Sequence, residues 1–98
     1  MLEGASGEIP RKHRSEEAII AQILTLLQER GACRQTHLMN GASLSWGNLI
    51  KYVNWGLSAG LMVKNGEMFT ITERGTRFIK LYREIKALLL SVPQVVKA

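Results

Sequence analysis

Asn65-Gly66 separates two short runs, Leu61-Met62-Val63-Lys64 and Met68-Phe69-Thr70-Ile71. Asn-Gly between such runs is the strongest short-range hairpin signal, because a two-residue loop needs positive φ and these residues tolerate it. The spacing predicts a β-hairpin with Asn65-Gly66 at its tip. A hairpin this short is not stable alone in water. It must lean on helices, and the chain supplies them on both sides.

Before the hairpin, a first helix is expected from Ser15. Ser15 caps it, Glu16 and Glu17 suit its positive end, and Ile19, Ile20, Ile23, Leu24 and Leu27 recur on one face. Gly31 ends it. Ala32 to Gln35 reads as a minimal strand. A second helix is expected from Thr36 as cap through His37, Leu38 and Met39, stopped by Asn40-Gly41. A third is expected from Ser45 as cap to Gly60. At 100° per residue Trp46, Leu49, Ile50, Val53 and Leu57 share its core side. Gly47, Asn48, Lys51, Asn54 and Trp55 fall opposite, with Tyr52 at the border. Gly47 and Gly56 weaken this helix, so packing must support it. After the hairpin, Thr72 caps a final helix that runs toward Leu90 and ends before Pro93. Phe78, Tyr82, Ile85, Leu89 and Val92 are spaced 4, 3, 4, 3, and Leu81 and Leu88 widen that stripe.

The expected class is therefore mainly α with a small β-hairpin. A tight turn between the second and third helices makes the helix-turn-helix unit, and a hairpin directly after the third helix makes it a winged helix-turn-helix, here followed by a C-terminal amphipathic helix. The expected organisation is a flexible basic arm over 1–14, the winged unit over 15–72, a dimerisation helix over 73–92 and a tail over 93–98. Arg11, Lys12, His13 and Arg14 make the arm either a solvated tail or a phosphate-contacting segment.

Leu44-Ser45-Trp46, Tyr52-Val53, Gly60-Leu61 and Ile71-Thr72-Glu73-Arg74-Gly75 carry a more specific likeness. Over roughly residues 15–90 the chain resembles small archaeal winged-helix proteins that dimerise through a C-terminal antiparallel coiled coil. That group includes chromatin-associated DNA-binding proteins and predicted transcriptional regulators. The resemblance implies double-stranded DNA as partner, presented to the third helix, and a homodimer held by the last helix. Gly56 departs from the pattern, standing where an apolar residue is expected. That makes the third helix either looser or more closely approached by a neighbour.

Candidate DNA-binding residues follow from this frame. Lys51, on the outer face of the third helix, suits a phosphate or a guanine edge. Asn48, one turn earlier, suits adenine N6 and N7. Ser45 and Tyr52 flank them. Arg34, Gln35 and Thr36 stand at the start of the second helix, where free amides favour an anion. Lys64 and Asn65 stand at the hairpin tip. For each, an ordinary solvated side chain is the alternative. Trp46 reads as structural and Trp55 as packing within the fold. Phe78, Leu81, Tyr82, Ile85, Leu88 and Leu89 are the candidate dimerisation residues. Arg74, Arg77, Lys80, Arg83 and Lys86 form either a solvated basic face or a second DNA surface.

Composition fits a polyanion partner: 13 Lys and Arg against 8 acidic residues, a net charge of +5. All the acidic residues are Glu, so Asp-dependent triads and carboxylate metal sites lose their usual members. Cys33 with His37 does not make up a zinc site, and no Gly-rich phosphate loop appears. No enzyme, metal, cofactor or small-molecule ligand is expected. The single cysteine fits a reducing cytosol, and no signal peptide or membrane span is expected, which suggests a cytoplasmic, nucleoid-associated protein. A winged-helix docking module that binds protein rather than DNA is the alternative, because fold does not fix function.

Overall fold

The computed structural model describes residues 14–90. Four helices and two strands follow in the order α1 (Glu16–Arg30), α2 (Gln35–Gly41), α3 (Trp46–Ser58), β1 (Met62–Asn65), β2 (Met68–Ile71) and α4 (Glu73–Leu90). The expected class, mainly α with one hairpin, is the class observed. Most of the basic arm and the whole C-terminal tail, with Val92 and Pro93, lie outside the described residues. Arg14 lies inside them. Its guanidinium donates to Gln22 Oε1 at 2.6 Å and to the Ala42 carbonyl at 2.7 Å, which ties it to α1 and to the turn after α2.

α1 forms as its pattern requires. Ser15 Oγ accepts from the Ala18 amide, and Ile19, Ile20, Ile23, Leu24 and Leu27 are buried. They meet Leu38 of α2, Leu49 and Val53 of α3, Met62 and Phe69 of the hairpin and Ile79 of α4 in one core. α2 begins two residues earlier than expected. Arg34 occupies its cap position without a side-chain bond, so Thr36 is not the cap.

The expected core stripe of α3 is rotated. Leu49, Tyr52, Val53 and Gly56 are buried, whereas Trp46 is 52% exposed. On a wheel of 100° per residue the buried face lies roughly 60° from the one that periodicity predicts. Gly56 explains the turn. A Cβ there would meet Met62 Sδ at 2.8 Å, so the missing side chain lets the hairpin close against α3 and draws Tyr52 inward. Of the two readings of Gly56, close approach is the one observed.

The hairpin differs by one residue. The antiparallel register pairs Met62 with Ile71, Val63 with Thr70, Lys64 with Phe69 and Asn65 with Met68. The loop is therefore Gly66-Glu67, not Asn65-Gly66. Gly66 has φ +64° and no non-glycine residue of the hairpin has positive φ. That is the signature of a turn with glycine first, which needs only one positive φ. Moving a two-residue loop by one position slides the pairing by two residues, so each side chain keeps its face and only its opposite number changes. Lys64 stands directly opposite Phe69 rather than Glu67, and its ammonium lies 5.6 Å from the Phe69 ring. Cys33 forms a single bridge to Phe69 through backbone bonds of 2.8 and 3.1 Å, which is all that the minimal strand at 32–35 amounts to.

The Thr72-Glu73-Arg74-Gly75 box joins three elements. Thr72 Oγ1 donates to the Gly60 carbonyl at 2.7 Å and accepts from the Gly75 amide at 3.0 Å. Arg74 Nε donates to the Ala59 carbonyl at 2.8 Å. Arg74 thus belongs to the scaffold, linking α4 to the end of α3, rather than to a freely solvated basic face.

Burial pushes the Cys33 thiol up from its ordinary value, with the Arg30 cation offsetting part of the rise. The neutral thiol suits the fold. Its contribution to stability is complete below the ordinary thiol pKa and is lost as pH rises through the raised value. Iodoacetamide labelling of Cys33 at neutral pH is expected to proceed only at the rate of unfolding, because the side chain is fully buried.

Candidate nucleic-acid interface

Three separate segments line one cleft of about 320 Å³: Arg34, Gln35 and Thr36 before and within α2, Trp46 at the start of α3, and Lys64, Glu67 and Phe69 of the hairpin. Phe69 is buried at its floor, and Arg34, Thr36, Trp46, Lys64 and Glu67 are exposed. The structure thus brings together four of the nine candidate residues. The hairpin register contributes by setting Lys64 directly opposite Phe69.

The other candidates lie elsewhere. Ser45 caps α3, its Oγ accepting from the Asn48 amide at 3.3 Å. Asn48, Lys51 and Asn65 are exposed and do not line the cleft. Tyr52 is only 6% exposed. Its ring stacks on Trp55 at 6.2 Å and carries the Lys51 ammonium at 5.1 Å. It therefore supports Lys51 from within rather than standing at the border as a contact. Trp55 stacks on Tyr52 and stays 42% exposed.

Two of the candidate cations already hold a carboxylate. Arg34 lies 3.5 Å from Glu67 across the cleft mouth, and Lys51 lies 3.6 Å from Glu16 of α1. All four side chains are more than half exposed, so these pairs add little to stability. What they change is the local field, since each carboxylate reduces the pull of its cation on a phosphate.

Sequence reasoning passed over two positions. Trp46 was assigned to the core by a wheel that the structure rotates. Asn54 lies on the outer side of the wheel in either orientation and is not among the candidate contacts. With the true orientation, Gly47, Lys51 and Asn54 share the outward face of α3, all exposed. A Cβ on Gly47 would meet nothing within 4 Å. Gly47→Ala is therefore expected to raise stability by up to about 1 kcal/mol through helix propensity alone. A thermal melt checks this.

Helices joined by a tight turn, an outward-facing α3 and an adjoining hairpin form the arrangement a family model for winged helix-turn-helix domains describes. That model matches residues 13–90. The chain belongs to the winged helix-turn-helix family. An uncharacterized protein of Methanocaldococcus jannaschii is 34% identical over 83 residues, covering 85% of this chain and 84% of its own. Among solved structures, ligand-free NadR superposes with a TM-score of 0.63 at 19% identity. The match covers 89% of this winged helix and 66% of the NadR chain, and at that identity it speaks for the fold. In this family frame the hairpin is the wing and α3 the helix at which a groove-binding face is sought. No helix among the described residues is long and apolar enough to cross a membrane.

Proposed function

We propose that this winged helix binds double-stranded DNA as a homodimer, serving as a cytoplasmic, nucleoid-associated transcriptional regulator or chromatin architectural protein. The observation that carries the reading is the uncovered face made by α3 and the wing. Gly47, Lys51 and Asn54 point outward from α3, with Arg34 and Lys64 beside them in the cleft. A helix of this kind fits the major groove, and flanking cations take phosphates. Arg34, Gln35, Thr36 and Lys64 then act on one side of α3, and Asn48 and Lys51 on its outer surface. Ser45 holds the start of the helix, and Asn65 extends the wing. With few base-reading groups on α3, discrimination among sequences is weak and phosphate contacts dominate.

Support for the dimer comes from α4. Ile79 is buried against α1, but Leu81, Ile85, Leu88 and Leu89 are 50 to 74% exposed on the same helix. Apolar surface of that extent on a short helix marks an interaction face. Phe78 and Tyr82, stacked at 6.3 Å, continue it toward the core.

A fluorescence-anisotropy titration with random-sequence duplex at 50 and 200 mM salt tests the DNA reading. Three phosphate-binding cations per protomer, six per dimer, predict an affinity loss of about 10³-fold across that range. Lys51→Ala with Lys64→Ala is expected to abolish measurable binding at the higher salt. Binding that ignores salt, or is unchanged in the double variant, points instead to protein docking.

A further inference from the structure

Among the described residues the Trp46 ring, at the edge of the cleft, stacks on no other aromatic ring. Trp46 is 52% exposed, although indole is costly to leave in water. The aromatic pairs among the described residues are Tyr52 with Trp55 and Phe78 with Tyr82, and neither includes Trp46. No described side chain accepts from its indole N–H. Burial did not select this placement, for the rotation of α3 turns Trp46 out of the core and into the cleft. There it stands with Arg34 and Lys64, two exposed cations from different segments.

We propose that Trp46 is a DNA-contact residue that packs its ring against the sugar of one strand, while Arg34 and Lys64 hold phosphates of that same strand. This rests on the DNA-binding reading. The chemistry favours the sugar-phosphate strand over a base. Bases within a duplex offer only their edges, whereas the deoxyribose presents apolar C–H surface beside its phosphates. A neutral aromatic flanked by two cations matches that alternation. Glu67 faces the same cleft and holds Arg34 at 3.5 Å. Arg34 must therefore leave Glu67, or share it, when the strand is bound. The contact is sequence-independent, which agrees with the weak base-reading chemistry of α3.

The test separates an uncharged contact from the cationic ones. Titrations of the full chain with random-sequence duplex across a salt series give both affinity and the slope of its logarithm against that of salt. Trp46→Ala is expected to lower affinity about tenfold at every salt concentration with the slope unchanged, because no counterion is released at a neutral group. Lys64→Ala is expected to lower affinity and flatten the slope together. Trp46→Phe keeps a ring and most of the affinity. Glu67→Gln frees Arg34 and is expected to raise affinity about two- to fivefold. In a Trp55→Phe background, where Trp46 is the remaining tryptophan, its emission shifts to shorter wavelength as DNA covers the ring. Thermal melts of each variant show that the fold is kept. Wild-type affinity in Trp46→Ala, or emission unmoved by DNA that does bind, overturns the Trp46 contact and leaves the DNA reading standing. Absence of wild-type binding at low salt overturns both.

Discussion

Gly75→Ala is expected to lower the melting temperature by about 10–20 °C. Gly75 is the third residue of α4, and its missing side chain is where the helix crosses the chain leaving α3. A Cβ at this position would overlap the Leu61 carbonyl oxygen and stand 2.8 Å from Ile71 Cγ1. Backbone on one side and a β-branched side chain on the other cannot swing aside as a flexible side-chain end can. Helix propensity works the other way, favouring alanine by up to about 1 kcal/mol. Overpacking against a fixed backbone typically costs about 1–3 kcal/mol, occasionally more. Because the clash here is with backbone, the cost is taken above that range, at about 3–4 kcal/mol, and the net loss of about 2–3 kcal/mol gives the stated shift for a domain of this size. The same clash pushes against the turn where Leu61 accepts from the Thr72 amide at 3.1 Å, so the wing loosens with the helix. Gly47→Ala is the matched control. It makes the same chemical change near the start of a helix, but into open space, and is expected to stabilise. A drop in both variants, or in neither, would refute close approach as the reason for glycine at Gly75.

What could be read from the chain, and what could not, follows from how far each feature depends on its neighbours. α1 was legible to the residue, because a cap, an acidic first turn and five apolar positions at helical spacing agree. The extent of α4 to Leu90 and the Thr72 cap were legible for the same reason. The face of α3 was not. Its periodicity admits two stripes, one through Trp46 and Leu57 and one through Tyr52 and Gly56. The second wins only because Met62 of the wing packs where Gly56 has no side chain. That contact joins two elements, and its one mark within α3 is Gly56, which does not say which neighbour approaches. The wing was legible as a hairpin, but its register was not, since Asn65-Gly66 and Gly66-Glu67 are both acceptable two-residue loops. The observed register sets Phe69, which is bridged to Cys33, opposite Lys64 rather than Met62. Gathering Arg34, Gln35, Thr36 and Lys64 beside Trp46 depends on the rotation of α3. Three of the four cleft candidates were adjacent in sequence, yet the aromatic that completes the cleft was hidden by the wrong stripe.

The second large effect is expected in α4. Ile85→Glu with Leu89→Glu should convert the proposed dimer to a monomer and weaken DNA binding by about 10²–10⁴-fold. The two side chains are 56 and 74% exposed, so the charges enter water in the monomer and leave the fold intact. In a dimer they would be buried against apolar partners, where an unpaired carboxylate is strongly disfavoured. Sedimentation then reports a monomer at concentrations where the wild type is paired, while circular dichroism and the melting temperature stay close to wild type. The DNA effect has a separate origin. Two linked winged helices engage successive stretches of duplex, and the second engagement is made at high effective concentration. Losing the link removes that gain although every contact of one protomer survives. The salt slope should fall to about half, because half as many cations are engaged per binding event. Trp46→Ala leaves the slope untouched, so the two variants weaken binding in ways that one salt series tells apart. A wild-type chain that sediments as a monomer at all concentrations would remove the dimer from the proposal, and with it the expected halving, without touching the cleft.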